Sequence, residues 1–300
     1  MRFEVVQAVV LSLIPGLFWL WYISSLGRYR REPWWMMALA CAAGAASTEG
    51  VLWTSAWLSR NIPGVMNTPE DPLRQLVYYV VAVGLMEEFY KMLAVRLTVY
   101  NLRSFDEPVD GLLYAGCSAL GFATAENVVY ILGAGDPTIL VGRSILATFG
   151  HVLMSAVWGY ALGIQKLRRW QGKARRSGPQ LLVVALLISA AAHGLYDWLL
   201  MQGQPLLAVG VIAGLWWLFG NRIGETQRLS PYREHRVRRV RECSSCGILA
   251  RSEAAYCTGC GRPMEGTVGE PLCGNCLSPA ALDREACAHC GCHFLPELSD

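Results

Sequence analysis

The chain has 300 residues, 53% of them hydrophobic and only 16% charged, with 11 Trp and 12 Tyr. Soluble domains carry roughly 25% charged residues, so this composition excludes an ordinary soluble protein. The net charge of +3 does not mark a nucleic-acid binder, and the basic stretch REHRVRRVR is better explained as a membrane-side anchor.

Runs of about 20 apolar residues can cross ~30 Å of hydrocarbon at about 1.5 Å per residue. They fall near 5–26, 34–59, 73–100, 109–132, 139–165, 180–202 and 205–220. The chain is therefore predicted to be an all-α polytopic membrane protein of about seven helices, or six if the short last run lies in the interface.

The first run is too long for a signal-peptide core and lacks a small-residue cleavage site, so a retained helix is predicted. The second holds a lone Glu49 after Ser47 and Thr48. The third reads VVAVGLMEEFYKMLAV, with Glu87, Glu88 and Lys91 at its centre. The fourth, EPVDGLLYAGCSALGFATAENVVY, carries Asp110 near its start and Phe122, Glu126 and Asn127 deep inside. His151 lies in the fifth run, His193 and Asp197 four residues apart in the sixth. The seventh opens on Pro205 and ends near Trp216 and Trp217, which suits an aromatic belt.

Basic residues alternate between loops. Arg28, Arg30 and Arg31 fill the first; Lys166, Arg168, Arg169, Lys173, Arg175 and Arg176 fill the fifth; seven arginines from Arg222 to Arg241 follow the last run. The positive-inside rule then puts the C-terminal tail in the cytoplasm and the N-terminus outside. Arginine clusters there also meet anionic lipid headgroups of the bilayer.

Beyond residue 242 lie nine of the eleven cysteines, eight of them as four CxxC pairs: Cys243/Cys246, Cys257/Cys260, Cys273/Cys276 and Cys287/Cys290. Two such pairs complete a tetrahedral thiolate shell around zinc. Gly247, Gly261 and Gly291 follow three of the pairs, where a knuckle favours positive φ. The block resembles a double zinc ribbon with two structural zinc ions, paired sequentially or interleaved, and Cys292, His289 and His293 are spare ligands. A disulfide framework would need an oxidising compartment. The predicted organisation is a membrane domain over 1–221, a basic linker over 222–242 and a double ribbon over 243–300 that is suited to a protein partner.

An unpaired charge at mid-bilayer costs ~2.5–3.5 kcal/mol, so Glu87, Glu88 and Lys91 must meet partners or water. Glu87 and Lys91 can pair at i, i+4, leaving Glu88 turned about 100° away. Ionisable groups at comparable depth in four successive helices, flanked by small residues that allow close packing, point to one shared cluster. Carboxylates, imidazoles and an amide in a dry site suit activation of water and stabilisation of an oxyanion.

The ordered set EEFYK, FxxxEN (Phe122, Glu126, Asn127), His151 and HGLYD (His193, Asp197) resembles the PrsW family of intramembrane proteases, relatives of the type II CAAX prenyl proteases. The resemblance covers about residues 73–200. It implies hydrolysis of a peptide bond in a membrane protein or peptide, such as an anti-sigma factor, in the bacterial inner membrane. Glu87 or Glu88 would activate water, with Glu126, His151 and His193 lining the site. Asn127 would donate to the tetrahedral intermediate, Asp197 would orient His193, and Lys91 would balance Glu87. Glu88, Glu126, His151 and His193 would also form a catalytic zinc site, and the same residues suit a metal-free glutamate base.

Rival classes lack their motifs. No HExxH or GxSG occurs, and GAGD at 133–136 with Tyr196-Asp197 reverses the order of aspartyl intramembrane proteases. The remaining alternative is a non-catalytic scaffold or pseudo-protease.

Overall fold

The structure is a computed structural model. It describes residues 2–27, 32–134, 138, 146–170, 178–230, 237–247, 249–251, 256–257, 260–263, 271–273, 278–279 and 287–289. Of the residues singled out above, Arg28, Arg30, Arg31, Asp136, Lys173, Arg175, Arg176, Cys276, Cys290, Gly291, Cys292 and His293 lie outside the described residues. Two compact units divide the chain, Met1–Gln227 and Arg228–Asp300.

The first unit is all helical: α1 (Arg2–Ser24), α2 (Trp34–Asn61), α3 (Pro72–Tyr78), a π-helical segment (Tyr79–Leu85), α4 (Met86–Thr98), α5 (Pro108–Ala134), α6 (Thr148–Trp170), α7 (Gly178–Met201) and α8 (Pro205–Arg228). Among the described residues, α1, α2, α5, α7 and α8 are long and apolar enough to cross a membrane. The chain is a polytopic integral membrane protein. Two further long helical stretches, α3 through α4 and α6, carry the charges that lower their hydropathy. The last helix runs past the end of its apolar stretch because Arg222 pairs with Glu225 at 2.6 Å and Gln227 donates to the Leu26 carbonyl at 3.0 Å.

The middle of the unit is α5, buried almost continuously from Pro108 to Ala123. It packs on α6, α2 and α1, while α7 packs on the π segment and α6. Small residues permit these crossings: a Cβ at Gly121 would overlap the Cys41 carbonyl, and one at Gly44 the Ser118 carbonyl. In lipid, where apolar burial gives little drive, such backbone approach supplies the van der Waals contact that holds helices together. Trp19 stacks on Phe149 with ring centroids 3.9 Å apart, tying α1 to α6.

The second unit contains a three-stranded antiparallel sheet in the order β2–β1–β3, from β1 (Val237–Glu242), β2 (Leu249–Arg251) and β3 (Pro271–Cys273). The end of β1 pairs with β2 (Val240 with Arg251), its start with β3 (Val237 with Cys273). Gly247 and Gly261 both have φ of 69° and donate to the carbonyls of Cys243 and Cys257 at 2.8 and 2.9 Å. The knuckles thus form as their spacing suggests. Cys243 Sγ lies 3.7 Å from Cys260 Sγ and Cys246 Sγ 3.5 Å from Cys257 Sγ, a group able to hold one metal ion. The amides of Ser245 and Cys246 hold the Cys243 thiol below its usual pKa.

Candidate active site

The stretch YVVAVGL is rich in β-branched residues and glycine, both poor α-helix formers. It adopts a π-helical turn, an irregularity common beside functional sites. A Cβ at Gly84 would come within 2.5 Å of the Ala190 carbonyl, and Gly194 lies directly on the Val80 backbone. This contact sets α7 against the start of α4, whose Met, Leu, Glu and Lys residues are good helix formers, and brings His193 beside Glu87 and Glu88.

Lys91 lies at the centre and is fully buried. Its ammonium offers three hydrogens and no lone pair. Three acceptors surround it: Glu88 Oε1 at 2.9 Å, His151 Nδ1 at 2.9 Å and Glu87 Oε2 at 3.2 Å. The Phe122 ring covers it at 4.2 Å. Since an ammonium only donates, His151 Nδ1 accepts, and the imidazole hydrogen belongs on Nε2. That nitrogen faces Glu126 Oε2 at 3.0 Å.

His193 is held by the same logic. Its Nδ1 lies 3.0 Å from Glu88 Oε1, an acceptor, so the hydrogen sits on Nδ1. Its Nε2 faces the cleft, 3.6 Å from Glu87 Oε2 and 3.5 Å from Asp197 Oδ2; these too are acceptors, so without a metal ion the ring is set up to donate from both nitrogens. The tautomer of His151 is thus assigned from its hydrogen-bond partners.

Glu88 is saturated from behind. Its Oε2 accepts from Ser155 Oγ at 2.7 Å and Trp158 Nε1 at 2.8 Å. Ser189 Oγ lies 3.2 Å away while donating to the Met154 carbonyl at 2.6 Å. Side-chain exposure rises from 0% at Glu88 to 11% at Glu87, 22% at Glu126 and 27% at Asp197. The last three open onto a cleft of about 280 Å³, which His151, His193 and Tyr79 also line.

The residues picked from sequence thus converge, with distinctions. Glu87, Glu88, Lys91, Glu126, His151, His193 and Asp197 form one network. Asn127 is buried and donates from Nδ2 to Thr148 Oγ1 at 3.1 Å, joining α5 to the first turn of α6. Asp110 lies in the first turn of α5, accepting from the amides of Asp106 and Glu107, both at 2.7 Å. Glu49 is exposed on α2. Ser155, Trp158 and Ser189 were not singled out from sequence. Helical spacing is the signal that finds them: Ser155 and Trp158 continue the face of His151, and Ser189 precedes His193 by one turn.

Glu87, His151 and His193 each offer a donor atom, all within 4.8 Å of one another, so this group could hold a metal ion. A carboxylate, two imidazoles and a cleft on the remaining side suit a catalytic metal with an open position. This group shares His151 and His193 with the set expected from the sequence, Glu88, Glu126, His151 and His193, and has Glu87 as its carboxylate; the oxygens of Glu88 are engaged by Lys91, His193, Ser155 and Trp158.

A helical membrane protein that gathers carboxylates, imidazoles and an open cleft at the depth of its spans is built as an intramembrane hydrolase. Residues 32–220 match the family described as PrsW family intramembrane metalloprotease. The chain belongs to that family. It is 36% identical over 139 residues to Protease PrsW of Geobacillus kaustophilus, a match covering 45% of this chain and 58% of the relative. It is 28% identical over 204 residues to Protease PrsW of Clostridioides difficile, covering 67% and 81% of the two chains. With Protease PrsW of Bacillus subtilis the identity is 28% over 220 residues, 72% of this chain and 94% of the relative. No solved structure matches the chain. Membership favours a protease over a scaffold.

Proposed function

We propose that the cleft cleaves a peptide bond of a membrane protein, with Glu87, His151 and His193 holding a catalytic zinc ion. The observation that supports this is the convergence of one carboxylate and two imidazoles from three helices on the wall of an open cleft. A zinc ion bound there would polarise the scissile carbonyl and lower the pKa of water to about 7.

The protein's own groups have separable tasks in this reading. Glu126, hydrogen-bonded to His151 and open to the cleft, takes the proton of the attacking water and returns it to the leaving amine. Glu88, held by Ser155 and Trp158, accepts the Nδ1 hydrogen of His193 and so keeps Nε2 free as a ligand. Asp197 borders the same nitrogen. Lys91 balances the carboxylates and occupies His151 Nδ1; to ligate zinc through Nδ1, His151 would exchange that hydrogen bond for the ion while its Nε2 hydrogen stays on Glu126.

The substrate class that the family resemblance implies is a membrane-anchored signalling protein such as an anti-sigma factor. The basic loops favour insertion in a bacterial inner membrane with the tail in the cytoplasm and the N-terminus outside. The cysteine tail holds structural zinc through Cys243, Cys246, Cys257 and Cys260, and a second ion through Cys273, Cys276, Cys287 and Cys290, and it recruits or gates rather than catalyses.

Three conservative variants test these roles on purified protein. Glu126→Gln should lower kcat by roughly 10²- to 10⁴-fold, the usual worth of a general base, with metal content unchanged. Glu87→Gln should lose both metal and activity. Glu88→Gln should weaken metal affinity roughly 10- to 100-fold, as loss of a histidine's carboxylate partner does, with cleavage returning at high zinc. A fully active Glu126→Gln protein would show that the base lies elsewhere.

A further inference from the structure

One outward face of α2 joins small residues to a carboxylate. Helix α1 turns Val6, Val10, Ile14, Leu17 and Trp21 outward, and α7 turns out Val183, Val184, Leu187 and Ile188, large apolar side chains of the kind lipid favours. Helix α2, which also exposes Trp34, Trp35, Leu39 and Leu52, carries Ala38, Ala42, Ala46 and Glu49 along one stripe, followed by Trp53 and Trp57.

Glu49 lies near the middle of this stretch, 15 residues after Trp34 and eight before Trp57. It cannot turn inward: Met36, Ala40, Gly44 and Ser47 fill the inner face, and Gly50 rests against the Tyr90 ring. Among the described residues no side chain pairs with it. A lone carboxylate at this depth is costly until a partner neutralises it, and alanines every fourth residue let another helix approach closely.

We propose that this face of α2 docks a membrane-spanning helix of a partner protein that carries a lysine or arginine near its midpoint, paired with Glu49. The charge selects such a partner over a second copy of this chain. Across a two-fold axis the same face would meet itself and set Glu49 against Glu49.

The full chain in phosphatidylcholine vesicles tests this by energy transfer to a synthetic single-span Leu/Ala peptide with one central lysine, compared with the same peptide carrying leucine there. The lysine peptide should bind roughly 5- to 30-fold more tightly, the range of an interhelical polar contact. Glu49→Leu should abolish that preference. Ala42→Leu with Ala46→Leu should weaken both peptides while leaving the carboxylate in place. Glu49 lies outside the cleft, so hydrolysis of a short peptide without a span is the control for folding, and binding is read whether or not the cleft cleaves. Equal affinity of wild type and Glu49→Leu for the lysine peptide would overturn the proposal. So would a Glu49→Leu change confined to self-association, which would point to a second copy.

Discussion

Lys91 shows how one side chain can organise a site without touching substrate. It satisfies Glu87, Glu88 and His151 at once, so its loss would leave two carboxylates buried without a counter-charge. Removing one partner of a buried pair costs ~3–5 kcal/mol. Lys91→Met should therefore lower the unfolding temperature in detergent and abolish cleavage, and pairing it with Glu88→Gln should recover part of the stability. A melting curve unchanged by Lys91→Met would mean the network is not held by charge. The members of this network were legible in the sequence, because ionisable residues in apolar runs need partners. Which of Glu87 and Glu88 faces the cleft was not, since neighbours about 100° apart on a helix are sorted only by what packs around them. Ser155, Trp158 and Ser189 escaped notice because single serines and tryptophans are ordinary in membrane helices.

The stretch from Val80 to Val95 was read as part of one continuous span, yet it begins as a π turn and continues as α4. Hydropathy reports how apolar a run is and not how tightly it is wound, so this break left no trace in the pattern. Its effect on the site is geometric: the wide turn sets the angular position of everything that follows. Deleting Val81, which faces outward, would return the segment toward ordinary winding and turn Glu87, Glu88 and Lys91 away from His151 and His193. The expected result is an inserted protein that no longer binds metal in the cleft or cleaves, read by metal content and activity. Retained activity would show that the turn is incidental. The glycines at helix crossings were legible as packing points, whereas their pairing, Gly84 with Ala190 and Gly121 with Cys41, depends on helix order that the sequence does not state.

For the whole molecule, composition and four CxxC pairs were enough to separate a helical membrane part from a cysteine-rich tail. The place of the join was harder to read, because α8 keeps its helix beyond the apolar run. Its last turn does structural work in the membrane unit: Tyr160 donates to Glu225 at 2.9 Å, and Gln227 reaches the Leu26 carbonyl. A chain ending at residue 228 should insert, fold and cut a minimal substrate within about twofold of the full chain, since the membrane unit is compact by itself and carries every residue of the cleft. One ending at residue 221 should melt at a lower temperature. Total loss of activity on such a substrate at 228, with insertion intact, would mean the tail takes part in hydrolysis.

The tail's central strand leads into Cys243 at one end and lies beside Cys273 at the other. The Cys243 knuckle and Cys273 therefore share a backbone rail. If thiols on either side let go, the hydrogen bonds that line up the opposite side weaken with them. Such a tail would answer to metal supply or oxidation as a single latch, open or shut, with few stable states between.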